Sequence, residues 1–232
     1  MTLFALTPVE LDALKLSLWV SSWSVAVSLP LGILAAWALA RLKFPGKSIL
    51  DGLVHLPLVL PPVVVGYLLL ILFGRRGVLG ALLYETLGIT VAFTWKGAAM
   101  ASAVMSFPLL VRAVRLSLEA VDRGLESAAR TLGAGPIRVF FTVTLPLVVP
   151  GIITGAILGF AHSLGEFGAT ITFVSNIQGE TQTLPLALYT LTQIPGGDWA
   201  AMRLCVIAIS LGMAALVASE YLARRFAARI RG

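Results

Sequence analysis

From Leu16 to Ala40 the chain runs 25 residues without a formal charge. A hydrocarbon core about 30 Å thick takes roughly 20 residues of helix. Within lipid a continuous helix satisfies its own backbone groups, which an open strand or loop cannot do. The run therefore predicts a spanning helix, and it is not alone. Leu56–Gly74 offers 19 residues, Leu87–Val111 offers 25 with only Lys96 interrupting, and Val139–Gly165 offers 27. Leu204–Ser219 gives 16, and the run extends through Leu222 if Glu220 lies near an interface. The expectation is an all-α membrane protein of about five spans, one transmembrane domain over residues 1–232. Composition agrees: 12% of residues are charged, about half the usual share in soluble domains.

The first long run ends only at Arg41, late for a cleavable leader, so it reads as a retained span. Cys205 is the sole cysteine. An internal disulfide is thereby excluded, and no Cys/His set has metal-ligand spacing. The formal charge of +6 belongs to loops of a membrane protein and does not argue for nucleic acid.

Five spans put the termini on opposite sides. One side then holds Arg41, Lys43, Lys47, Arg112, Arg115, Arg123, Arg130, Arg138, Arg224, Arg225, Arg229 and Arg231, twelve cations against five on the other. Acidic residues divide five against six, so the bias is one of Lys and Arg. Such a bias marks the cytoplasmic face, which places the N-terminus outside and the C-terminus inside. Residues 119–146 then form a cytoplasmic segment between spans three and four, and 175–203 a periplasmic loop. Within that loop Pro185–Gln193 predicts a short helix with Thr183 near its N-cap.

In the cytoplasmic segment, Leu125, Ala128, Ala129 and Leu132 share one helical face over Asp122–Leu132. Gly133 suits the turn after a helix, and Pro136 the first turn of the next. A solvated inter-span loop is the plainer reading of the same spacing.

"LESAARTLGAGPIRVFFTVTLP", Leu125–Pro146, resembles the cytoplasmic loop of ABC-importer permeases. That pattern is Glu-Ala-Ala, three residues, Gly, nine residues, Ile, one residue, Leu-Pro. Ala128, Ala129, Gly133, Leu145 and Pro146 match in register; Ser127 stands at the glutamate position with Glu126 one place earlier, and Val143 stands for isoleucine. The resemblance implies a coupling helix seated in a groove of a separate ATPase, with Leu125, Glu126, Ser127, Ala128, Ala129, Arg130, Thr131, Leu132 and Gly133 as the coupling residues. "RLKFPGKSILDGLVHLPLVLPPVVVGYLLL", "FPLLVRAVRLSLEAVD" and "SLGEFGATITFVSNIQGET" are similar to molybdate ABC-transporter permeases, from about Leu16 to Arg225. Sulfate permeases are the relatives most easily confused with them. The resemblance implies a homodimer in the bacterial inner membrane, two cytoplasmic ATPases carrying ATP and magnesium, and a periplasmic molybdate-binding protein. It implies no cofactor on this chain and allows tungstate as a second substrate.

Other features invite sharper readings. "FPGKS" at Phe44–Ser48 lacks the phosphate-loop glycine, since position 41 is Arg41. Pro57, Pro61 and Pro62 open span two. Each lacks a backbone donor, and the freed carbonyls need protein or a water-filled cavity. The stretch reads either as part of the translocation path or its gate, or as a kink packed on a neighbour. His162 and Glu166 lie four apart, but metalloprotease spacing is absent, and catalysis is not expected. Glu166 is expected near the outer interface, in a structural or gating role, capping a helix or pairing with Arg or Lys. Lys96 reads as a snorkelling side chain or as a steering charge for anions. Gly151, Gly155 and Gly159 repeat every four residues, a spacing for close helix contact.

Overall fold

The computed structural model describes residues 6–231, with side chains described up to residue 225. The described residues form helices and turns without strands. In chain order the helices are α1 (Pro8–Arg41), α2 (Lys47–Val59), α3 (Pro62–Phe73), α4 (Val78–Leu87), α5 (Trp95–Ala120) and α6 (Arg123–Thr131). They continue with α7 (Pro136–Leu164, with a π-helical turn at Phe140–Thr144), α8 (Gly168–Val174), α9 (Leu184–Thr192) and α10 (Asp198–Arg231).

α1 begins where chemistry starts a helix. The Thr7 hydroxyl accepts from the Glu10 N–H, the Glu10 carboxylate accepts from the Thr7 N–H, and Pro8 occupies the first turn. Its buried face is largely small residues, Ser17, Ser21, Ser24, Ser28, Gly32 and Ala36, alongside Val20 and Leu39, while Trp19, Trp23, Val27, Leu31 and Leu34 are exposed. Lipid is as apolar as leucine, so association rests on close packing of small residues rather than on hiding large ones. α5 and α7 lie in that seam, and the Ser24 and Ser163 hydroxyls bond across it at 2.8 Å. The α5–α7 contact is equally close. A methyl on Gly155 would lie 3.1 Å from the Leu110 carbonyl oxygen, and one on Gly151 would overlap Ser117.

α1 and α5 run antiparallel. Trp19 and Trp23 meet Trp95, the first residue of α5, with ring centroids 5.9 and 6.3 Å apart. At the other end Arg41 reaches Glu126, just beyond α5. Trp19 and Arg41 are separated by about 33 Å of helix, the thickness of a hydrocarbon core. The segment between Arg41 and Trp95 must carry the chain back over that distance. α2 stays at the arginine-rich end, tied to α5 by Asp51–Arg115 at 2.9 Å. α3 packs beside α8, near the start of α5.

That return corrects the second expected span. Instead of one helix over Leu56–Gly74, helix begins at Lys47 and breaks at Leu60–Pro61, where the chain bends by 114° between α2 and α3. Neither Pro61 nor Pro62 has an N–H to continue the α2 ladder. Among the described residues, four helices are each long and apolar enough to cross a membrane, and the bent pair makes up to five.

The third span is also shifted. Leu87 closes α4, Gly88 takes the left-handed conformation, and helix resumes only after Thr94 caps α5. Lys96 is thus the second residue of α5 and not a residue inside a longer Leu87–Val111 span. The outer stretch Phe73–Thr86, between the second and third apolar runs, holds α4. The last helix begins at Asp198, ahead of Leu204, because α10 takes in Trp199–Met202 and the charged Asp198 and Arg203 that flank them. α9 sits close to its expected place, with Thr183 at the N-cap.

Candidate functional site: an inverted helix and a broken span

α6 is the charged helix expected near Asp122–Leu132. The Asp122 carboxylate accepts from the Gly124 N–H at its N-terminus. Leu132 is the C-cap, and Gly133 follows at φ +86°, where a side chain would be strained. Pro136 then opens α7.

The orientation of α6 is the reverse of a solvated amphipathic helix. Its polar face, Arg123, Glu126, Ser127 and Arg130, borders an open cavity against the chain's own α1 and α7, with Glu126 shielded and the other three still exposed. One Glu126 oxygen accepts from Arg41 at 2.9 Å and from Thr144 at 2.8 Å. The Arg41 and Glu126 side chains are only 13% and 15% exposed. Thr144 closes the π-helical turn, in which the Leu145 N–H reaches back to the Phe140 carbonyl. The face carrying Leu125 and Leu132 points away from the chain, leaving them 50% and 88% exposed. Water alone would favour the opposite arrangement.

The nine residues Leu125 to Gly133 are therefore divided. Leu125, Ala128 and Leu132 are presented outward, with Ala129 at the edge; Glu126 faces inward and is held by its own chain. The α1 terminus and Thr144 were not singled out from sequence. Only the return of charge at Arg41, after an uncharged span, hinted at them.

Pro57 lies within α2, and Pro61 and Pro62 form the break, with both prolines and neighbouring Val59 and Val63 on the exposed surface. The break lies between the α5-bound part of α2 and the part of α3 seated on α8. Backbone freed there needs protein or water, since lipid supplies no donors. α3 approaches α8 closely: a methyl on Gly66 would sit 2.5 Å from the Ala169 carbonyl oxygen.

Glu166 lies just beyond α7. It is 6% exposed, and its carboxylate accepts from the Ala169 N–H at 2.9 Å, capping the first turn of α8. It makes no ion pair among the described residues. Of the alternatives offered by sequence, the helix cap is the one present. His162 precedes it at the end of α7, and its Nδ1 is buried without a partner among the described residues.

The comparisons with known proteins agree with this architecture. Residues 28–231 match the model of the binding-protein-dependent transport system inner membrane component. The molybdenum transport system permease protein ModB of Escherichia coli K12 is 65% identical over 219 residues, covering 94% of this chain and 96% of that protein. The Haemophilus influenzae protein of the same name is 58% identical, covering 93% and 94%. The sulfate permease CysW of Synechococcus elongatus is 42% identical over 75% of this chain and 61% of that protein. Among solved structures, a bacterial ABC transporter involved in alginate import superposes with a TM-score of 0.74 at 19% identity, covering 95% and 80%. The MetNI methionine ABC transporter superposes at 0.67 and 16%, covering 94% of each chain. With the family model spanning most of its length, the chain belongs to the binding-protein-dependent transport system inner membrane components.

Proposed function

We propose that this chain is the permease subunit of an ATP-driven importer that carries molybdate across the bacterial inner membrane. The observation that carries the substrate is the 65% identity, spread over nearly the whole of both chains, with a molybdenum transport permease. The sulfate relative matches less strongly and over less of its own length.

Residues 1–232 act as one transmembrane domain, with the N-terminus outside and the arginine-rich end in the cytoplasm. α6 is the coupling helix. Its outward Leu125, Ala128, Ala129 and Leu132 enter a groove of a separate ATPase, which alone holds ATP and magnesium. This occupant accounts for apolar side chains exposed at the cytoplasmic end. Glu126 and Arg130 face the membrane domain and contact the ATPase only indirectly. Closure of two ATPases moves two coupling helices as rigid bodies and switches access from one side to the other.

Two copies of the permease face each other with the Pro57–Pro62 stretch towards the path. That placement covers the broken backbone with protein or pore water, as lipid cannot. A periplasmic molybdate-binding protein delivers the anion to residues 175–203. Glu166 holds α8, and so the seat of α3, in register below that surface.

A cysteine at Leu132 tests the docking. It should cross-link to a cysteine in the ATPase groove, whereas one at Glu126 should not. Labelling at positions 57–66 that changes with nucleotide state tests the path; no labelling in any state removes it.

A further inference from the structure

The cavity behind α6 has a volume of about 640 Å³ and two unlike walls. One wall is cationic: Arg41, Arg123 and Arg130. Arg41 is paired with Glu126, while Arg123 and Arg130 have no carboxylate partner among the described residues. The other wall is apolar and open, with Leu34, Trp37 and Phe141 exposed. Arg41 is the last residue of a membrane-length helix, and Trp37 and Leu34 lie one and two turns before it. The cationic wall therefore stands at headgroup height and the apolar wall at acyl-chain height.

We infer that this cavity binds an anionic phospholipid, with its phosphate on Arg123 and Arg130 and an acyl chain along Leu34, Trp37 and Phe141. Guanidinium forks match phosphate oxygens, and basic pockets at membrane-helix ends take anionic headgroups. A free oxyanion is a poorer occupant, because most of the lining is apolar and offers it no donors. An ATPase is a poorer occupant too, because the outward face of α6 points the other way. The bound lipid would brace the coupling helix from behind and link its position to membrane charge. Only the choice of inner leaflet rests on the orientation proposed above; the cavity and its charge do not.

The test uses the purified permease, with whatever ATPase accompanies it, delipidated and titrated in native mass spectrometry. The probes are phosphatidylglycerol and phosphatidylcholine of identical acyl chains. The wild type should bind phosphatidylglycerol on the order of tenfold more tightly, since each juxtamembrane arginine contributes about a fivefold factor at most. The double variant Arg123→Gln/Arg130→Gln should lose that preference while remaining monodisperse, and Arg123→Lys/Arg130→Lys should retain most of it. Should the glutamine variant fail to fold, the wild-type headgroup comparison and the lysine variant still decide. Equal binding of the two lipids, an unchanged preference in the glutamine variant, or displacement by millimolar inorganic phosphate or molybdate each overturns the proposal. These readings do not require transport or ATPase docking, so failure here is separable from failure of the functional assignment.

Discussion

Glu126 is the most informative residue to perturb. Its carboxylate joins three elements: α6 itself, the end of α1 through Arg41, and the π-helical turn of α7 through Thr144. Hydrogen bonds to charged groups contribute about 1.5–3 kcal/mol each when partly buried. Two share one oxygen and neither side chain of the ion pair is fully buried, so their combined worth is about 2 kcal/mol rather than the sum. Breaking one side of a shielded pair also strands the other charge. Glu126→Gln should therefore destabilise the α6–α1 junction by about that amount, and Arg41→Gln similarly. Because each removes the same contact, the double variant should cost little more than either single. The assay is thermal unfolding of the purified complex across the four-member cycle, with transported anion per ATP hydrolysed measured alongside. The reasoning predicts a coupling energy above about 1 kcal/mol, and less transport per ATP in both singles. Strictly additive singles with unchanged stoichiometry would refute it.

Other consequences are simpler. Leu132→Glu places a charge on an outward apolar position and should abolish ATPase co-purification while leaving permease folding intact, as read by size-exclusion chromatography. Gly66→Ala forces a methyl into the Ala169 carbonyl, and overpacking against backbone should lower unfolding stability by about 1–3 kcal/mol; Gly52→Ala, where a methyl meets nothing within 4 Å, is the control. Glu166→Ala removes the cap on α8 and should cost about 0.5–2 kcal/mol, whereas Glu166→Gln keeps an acceptor and should cost less. A reporter at the C-terminus should register as cytoplasmic, and a periplasmic signal would overturn the assigned orientation.

Much of this was legible because lipid makes the signals coarse. Long uncharged runs found α1, α5, α7 and α10 but fixed both ends of α7 alone to within a few residues, with some ends of the others eight or more residues away; Asp122, Gly133 and Pro136 bounded α6 because each has a local backbone role. The 114° break was legible only as a suspicion: three prolines predict lost hydrogen bonds but not the direction the chain turns. The late start of α5 escaped hydropathy because Gly88–Thr94 is apolar; only the Gly88 turn and the Thr94 cap mark the interruption. The inward aim of Glu126 was also out of reach. It depends on Arg41, 85 residues away, and spacing within α6 cannot tell which face meets the chain. The exposed leucines were visible as a stripe, but a stripe ordinarily turns inward, and here the fold turns it out.

The most direct measurement is ATP-dependent uptake of labelled molybdate into proteoliposomes containing this chain, its ATPase and the periplasmic binding protein, with and without excess sulfate. The account predicts molybdate accumulation that requires ATP and survives a large excess of sulfate. Sulfate uptake without molybdate uptake would contradict the substrate, and molybdate uptake without any ATPase would contradict the coupling role given to α6.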